Sequence, residues 1–237
     1  MKTLTFGTVL KAALIAGLAA GLTASVFHLV FTEPLIDRAV AMEEASHMDD
    51  SAPGVVSRDT QKKGLVVGFV MLGVAWSIIF GVAFQAAQRW LPPISRFKQG
   101  VVMAAFAYWA VALLPFLKYP ANPPGVGDPD TIVERQALYA GFLVLSIITV
   151  LLGAWLTRTL QKRLSNDTRA TSLGWAAIIG LSLLLFVLMP GIAEDGDIPD
   201  DLLNSFRVMS LVGLTIFWAT MGLLFGKLIG QAPAHAA

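Results

Sequence analysis

"TVLKAALIAGLAAGLTASVFHLVF", residues Thr8–Phe31, carries a single charge, Lys11. A helix needs about 20 apolar residues to cross roughly 30 Å of hydrocarbon, and this run is long enough. It also has some features of a secretory signal, since Lys2 precedes it and "LTAS" at residues 22–25 has the small residues of a cleavage site. Against that reading, the apolar run continues past those residues to Phe31, and Lys11 sits where a signal's hydrophobic region would begin. We read it as an uncleaved first span.

Five further runs match it: Gly64–Ala87, Gly100–Leu117, Ala137–Leu156, Leu173–Ile192 and Val208–Ile229. Of the 237 residues, 56% are hydrophobic and 14% are charged, against about 25% charged in a soluble domain. A soluble core cannot hide that much apolar surface, so lipid must cover part of it. Unpaired backbone groups cannot face lipid, so each run must be helical. The expectation is an all-α, polytopic membrane protein forming one integral membrane domain over residues 1–237. It has about six transmembrane helices. The third run is the shortest and meets Pro115 near its end, so a five-span reading would make it re-entrant.

With the N-terminus inside, 10 of the 17 basic residues fall on the cytoplasmic side, as the positive-inside bias requires. Of the 16 acids only Asp167 falls there. Acids contribute little to topology, so insertion does not explain the skew. The outer face is expected to be rich in carboxylates.

Beyond the first span the chain reads "TEPLIDRAVAMEEASHMDD", residues 32–50. Pro34 suits the first turn of a helix, and an outer interfacial helix is expected from there to about Ser46. On it Glu33, Asp37 and Glu44 share one side, and Glu43, His47 and Asp50 form a second stripe. Met42 and Met48 add sulfur. His28 lies about one turn from the outer end of the span. Imidazole with carboxylates suits first-row divalent ions such as cobalt, nickel or zinc. The metal candidates are therefore His28, Glu33, Asp37, Glu43, Glu44 and His47. The plainer alternative is a solvated acidic helix face, with His28 hydrogen-bonded to a neighbouring helix and Glu33 serving as a cap.

Three outer loops share a design, with proline at a span exit, then acids, then arginine. They are "TEPLIDR", "LPFLKYPANPPGVGDPDTIVER" and "MPGIAEDGDIPDDLLNSFR", ending at Arg38, Arg135 and Arg207. Arg135 and Arg207 form structural ion pairs or lipid contacts, or balance the charge of an empty cation site. The pairs Gly17/Gly21 and Gly64/Gly68 read as ordinary close helix contacts. His235 in the tail is expected to be inert.

Several chemistries are excluded. There are no cysteines, so there is no disulfide and no thiolate metal site. A phosphate-binding loop, HExxH and GxSxG are all absent, and bis-histidine haem lacks its second intramembrane histidine. No enzyme and no nucleic-acid partner is indicated.

"HLVFTEPLIDRA", "LKYPANPPGVGDP" and "MPGIAEDGDIPDDLLNSFR", in this order and each at a span's outer end, resemble the CbtA family of proposed cobalt transporter subunits. The resemblance covers nearly the whole chain, and "YPANPPG" is its most specific part. Its motif residues fall here on His28, Glu33, Pro34, Asp37, Pro120, Pro123, Pro124 and Arg207. It implies about five spans, a prokaryotic cytoplasmic membrane, and a small single-span partner with a histidine-rich end. Cobalt(II) would be bound or carried, with no tightly held cofactor.

The expected function is collection of divalent cobalt at the acidic outer face, with entry at His28, Glu33 and Asp37. Few ligands line the inner halves, chiefly Gln85, Gln88, Ser77 and Thr149. A homo-oligomer or the small partner would then complete a pore. The competing expectation is a non-transporting anchor or assembly subunit whose acidic loops bind a protein. A sensor that binds metal without moving it is the third.

Overall fold

The computed structural model describes residues 3–46, 56–124, 126–127, 129–164, 166–192 and 198–232. The described residues are helical or irregular, and six helices among them are long and apolar enough to cross a membrane. The first comprises α1 (Phe6–Phe27), a π turn (His28–Thr32) and α2 (Glu33–Ser46). The second is α3 (Arg58–Ala87). The third comprises α4 (Arg96–Tyr108), a second π turn (Trp109–Leu113) and α5 (Leu114–Lys118). The others are α6 (Ile132–Arg163), α7 (Asp167–Leu188) and α8 (Asp200–Gln231).

The chain forms two compact units. One contains α1 to α4, α8 and residues Asn122–Gly125. In it α1 packs on α3 and α8, and α4 packs on α8. Small residues fill the inward face of α1: Ala12, Ala13, Ala16, Gly17, Ala20, Gly21 and Ala24 are buried. Its larger residues Ile15, Leu18, Leu22 and Val26 face outward. A water-soluble helix would do the reverse. In lipid there is no hydrophobic gain from hiding leucine, so close backbone approach decides which face is inside.

Glycine makes the approach possible. A Cβ on Gly17 would overlap the Gly73 carbonyl and the Ser77 side chain, and one on Gly21 would overlap the Phe69 carbonyl. Between α4 and α8, a Cβ on Gly100 would stand 2.7 Å from the Gly226 Cα. The first expected pair is therefore a true contact. The second is not, because Gly64 and Gly68 have nothing within 4 Å of an added Cβ. The partner of Gly17 and Gly21 on α3 is Gly73, outside that spacing.

The other unit contains Trp109–Ala121 and Val126–Asp197. Its core gathers Leu114, Tyr119 and Phe142 against Leu138, Leu185, Phe186, Met189 and Ile192. The Tyr119 hydroxyl donates to the Pro190 carbonyl at 2.9 Å, and Lys118 Nζ donates to the Phe186 carbonyl at 2.9 Å. Both side chains satisfy carbonyls at the end of α7, where the helical ladder runs out.

Pro34 and Pro115 explain the two π turns. Each proline stands two residues beyond a π turn, in the first turn of the following helix. Proline has no N–H and its ring crowds the carbonyl four residues back. Widening the turn accommodates this, and the Glu33 N–H bonds to the His28 carbonyl, five residues back. Helix therefore continues through both prolines. The third span runs to Lys118 with Pro115 buried inside it, so the structure supports six spans. The expected helix after the first span is α2, joined to α1 without a break.

Candidate functional site at the outer end of the first span

The π turn sets the site. His28 and Thr32 are both buried, and His28 Nδ1 lies 2.9 Å from Thr32 Oγ1. The imidazole stacks on Phe69 of α3 with ring centroids 4.7 Å apart and 15° between planes. Its other edge faces Gly213 of α8, where an added Cβ would overlap Nε2. His28 is thus wedged among three helices and turned inward, as a polar group at membrane depth should be.

One residue past the π turn, Glu33 is 4% exposed. A carboxylate that deep needs a partner, and Arg58 at the start of α3 supplies it. Arg58 Nη2 stands 2.6 Å from Glu33 Oε2 and 2.8 Å from Asp37 Oδ1, while Nε donates to Asp37 Oδ1 at 3.0 Å. Lys62, one turn on, reaches Asp37 Oδ2 at 2.7 Å. Glu33 and Asp37 are four apart on α2, and Arg58 and Lys62 are four apart on α3. The spacing brings two acids onto two bases. Ser57 caps α3 by accepting from the Thr60 N–H, and Arg58 Nη1 is bonded to Gln61 Oε1. Both contacts hold the arginine's turn in place.

Asp37 lies beyond the apolar run that ends at Phe31. Hydrogen bonds from Lys62 and then Arg58 hold its carboxyl below the ordinary value.

The other candidates are dispersed. Glu43 and Glu44 lie on the exposed part of α2. His47, Met48, Asp50 and His235 fall outside the described residues. Among the described residues no three of His, Cys, Asp and Glu stand close enough together to hold a metal ion. Arg207 donates to Asn122 Oδ1 at 2.8 and 3.3 Å, which ties the "YPANPPG" loop to α8. In that loop Pro123 is buried, Pro120 half-buried and Pro124 exposed. Arg135 packs against Gly127, whose positive φ of 97° suits glycine.

The inner polar residues serve the backbone. Gln88 exchanges hydrogen bonds with both backbone groups of Leu4, and Gln85 donates to the Leu4 carbonyl. Ser77 donates to the Val74 carbonyl and Thr149 to that of Ser146.

Sequence reading missed Arg58 and Lys62. The signal was present in "SRDTQKK", residues 57–63, a basic stretch on the face where the expected topology places few bases. Such a departure from the positive-inside bias calls for a local anionic partner.

Six helices long and apolar enough to cross a membrane define a polytopic helical membrane protein. The chain belongs to the CbtA family: residues 6–230 match the family model described as "Probable cobalt transporter subunit (CbtA)". No curated protein and no solved structure matches the chain.

Proposed function

We propose that this chain is the membrane subunit of a divalent cobalt uptake system, collecting the ion at an acidic extracytoplasmic face. The observation that carries the reading is Glu33, a carboxylate buried where the first span ends, one residue from the π turn that holds His28. Polar and charged groups at membrane depth are costly and mark ion pathways by default. A divalent ion must exchange its hydration shell for ligands of comparable strength, and carboxylate with imidazole is such a set.

In this reading the N-terminus and the Lys162 loop face the cytoplasm of a prokaryotic inner membrane. Glu33, Asp37, Glu43 and Glu44 gather cations outside, together with the acids of the second and third outer loops, and raise their local concentration. His28, Glu33 and Asp37 mark the entry as successive points along it rather than as one three-ligand set, with His47 as a further ligand. The inner polar residues are committed to the backbone. A small single-span partner with a histidine-rich end, or a second copy of the chain, would then complete the path.

A second reading is favoured by the pairing of Glu33 and Asp37 with Arg58 and Lys62. Satisfied carboxylates suit an anchor or assembly subunit whose exposed acids bind another protein. Uptake of radioactive cobalt, with and without the small partner, separates the two. Transport through this site requires uptake to fall in cells carrying His28→Ala with Glu33→Gln. Normal uptake in that double variant removes the entry-site reading.

A further inference from the structure

Two short bonds of the outer cluster end on a single atom. Arg58 Nη2 lies between Glu33 Oε2 at 2.6 Å and Asp37 Oδ1 at 2.8 Å. Two carboxylates from successive turns of α2 thus converge on one cationic nitrogen contributed by α3. Asp37 turns its second oxygen to Lys62 Nζ at 2.7 Å. Two carboxylates are matched by two cations, so the cluster is neutral as it stands. A divalent ion drawn to the acidic face finds these two carboxylates already paired, and gains them only when a base leaves.

We infer that Arg58 is the resident counter-cation of this site, and that Arg58 and a divalent ion hold Glu33 and Asp37 in turn. The inference rests on the proposed entry site and adds how access to it is regulated. Burial gives Arg58 its role: a carboxylate as enclosed as that of Glu33 is costly to bury without a positive partner. When the site is empty the arginine supplies that charge. When an ion binds, it supplies the charge, and Arg58, whose side chain is 30% exposed, has room to swing aside. Lys62 is 39% exposed and can leave Asp37 in the same way.

The exchange also moves structure. Arg58 and Lys62 tie the first turns of α3 to α2. The π turn stands immediately before the tied segment and Pro34 lies within it, and this is where a helix bends most readily. Ion loading therefore frees α2 from α3 at a joint already built into the first helix. Ion and arginine compete, so each lowers the other's affinity by the same factor.

The test is titration of the purified full-length chain in detergent with cobalt(II) chloride at pH 8, by calorimetry. The wild type is compared with Arg58→Gln, Arg58→Lys, Lys62→Gln and Glu33→Gln, and thermal melting confirms that each is folded. Removing the competitor raises cobalt affinity in Arg58→Gln by roughly tenfold, within the range of coupled sites. Arg58→Lys keeps the charge and stays near wild type. Lys62→Gln touches only the half-exposed Asp37 and gives a smaller gain, so it tests the idea even where Arg58→Gln unfolds. Glu33→Gln loses binding. Suppose cobalt binds in a Glu33-dependent way but no tighter in either Arg58→Gln or Lys62→Gln. The counter-cation role then falls and the entry site stands. Absence of cobalt binding in every variant overturns both.

Discussion

Arg58 and Glu33, 25 positions apart in sequence, meet at 2.6 Å where α2 leaves the π turn and α3 begins. The pair joins a carboxylate that is 6% exposed to a guanidinium that is 30% exposed. Glu33 is the deeper partner and Arg58 the one nearer the surface.

Its removal from one side is expected to cost stability. Arg58→Leu leaves the Glu33 carboxylate buried with its strongest donor gone, at about 1.5–3 kcal/mol for a charged hydrogen bond. The double variant Arg58→Leu with Glu33→Leu recovers much of this loss, because a matched apolar pair has no charge to bury. Thermal melting of the four chains as a double-mutant cycle measures it. A double variant no better than Arg58→Leu alone would show that the two residues act independently.

Glycine-to-alanine changes have opposite signs at two sets of positions. At Gly68 an added Cβ meets nothing within 4 Å, so alanine gains about 0.5–1 kcal/mol of helix preference. At Gly17 the same methyl group overlaps the Gly73 carbonyl and Ser77. There α1 and α3 must separate, and overpacking costs about 1–3 kcal/mol. Folded yield after detergent extraction should rise or hold for Gly68→Ala and fall for Gly17→Ala. Equal yields would mean that the two helices do not touch as described.

Asp37 gives a pH prediction. Bonds from Lys62 and Arg58 put its carboxyl below the ordinary value of 3.8. A depressed acid contributes stability that is fully present above 3.8 and is lost as pH falls through the lower folded value. The melting difference between wild type and Asp37→Asn should therefore be constant from pH 7 to about 5 and shrink only below about 4. A difference that vanished between pH 5 and 7 would show that these bonds do not hold the carboxylate ionised.

The proposed orientation has a direct probe because the chain has no cysteine of its own. Single cysteines at Glu44 and Asp200 should react with an impermeant maleimide added to intact cells, and one at Lys162 should react only after lysis. Labelling of the Asp200 position from the cytoplasmic side alone would invert the scheme and move the acidic face inside.

The sequence was sufficient for the class and most of the span pattern. Apolar length is a one-dimensional property, and the six runs lie within or largely overlap the six long helices, with shifts at the ends. The third span looked doubtful because Pro115 reads as a stop, whereas the preceding π turn lets the helix pass it. Gly17 and Gly21 were found by spacing. Gly73 was not, because its partner lies on another helix and no local pattern marks it.

The sequence alone determined that this chain lives in lipid, that it is helical, and that its acids crowd one end, since those properties follow from composition and order along the chain. Only the tertiary structure decided which acids are already matched. Glu33 and Asp37 looked like free ligands until α3 brought Arg58 and Lys62 across from the next span. Pairing of charges depends on distance through space, and a separation of 21 to 25 positions along the chain concealed it.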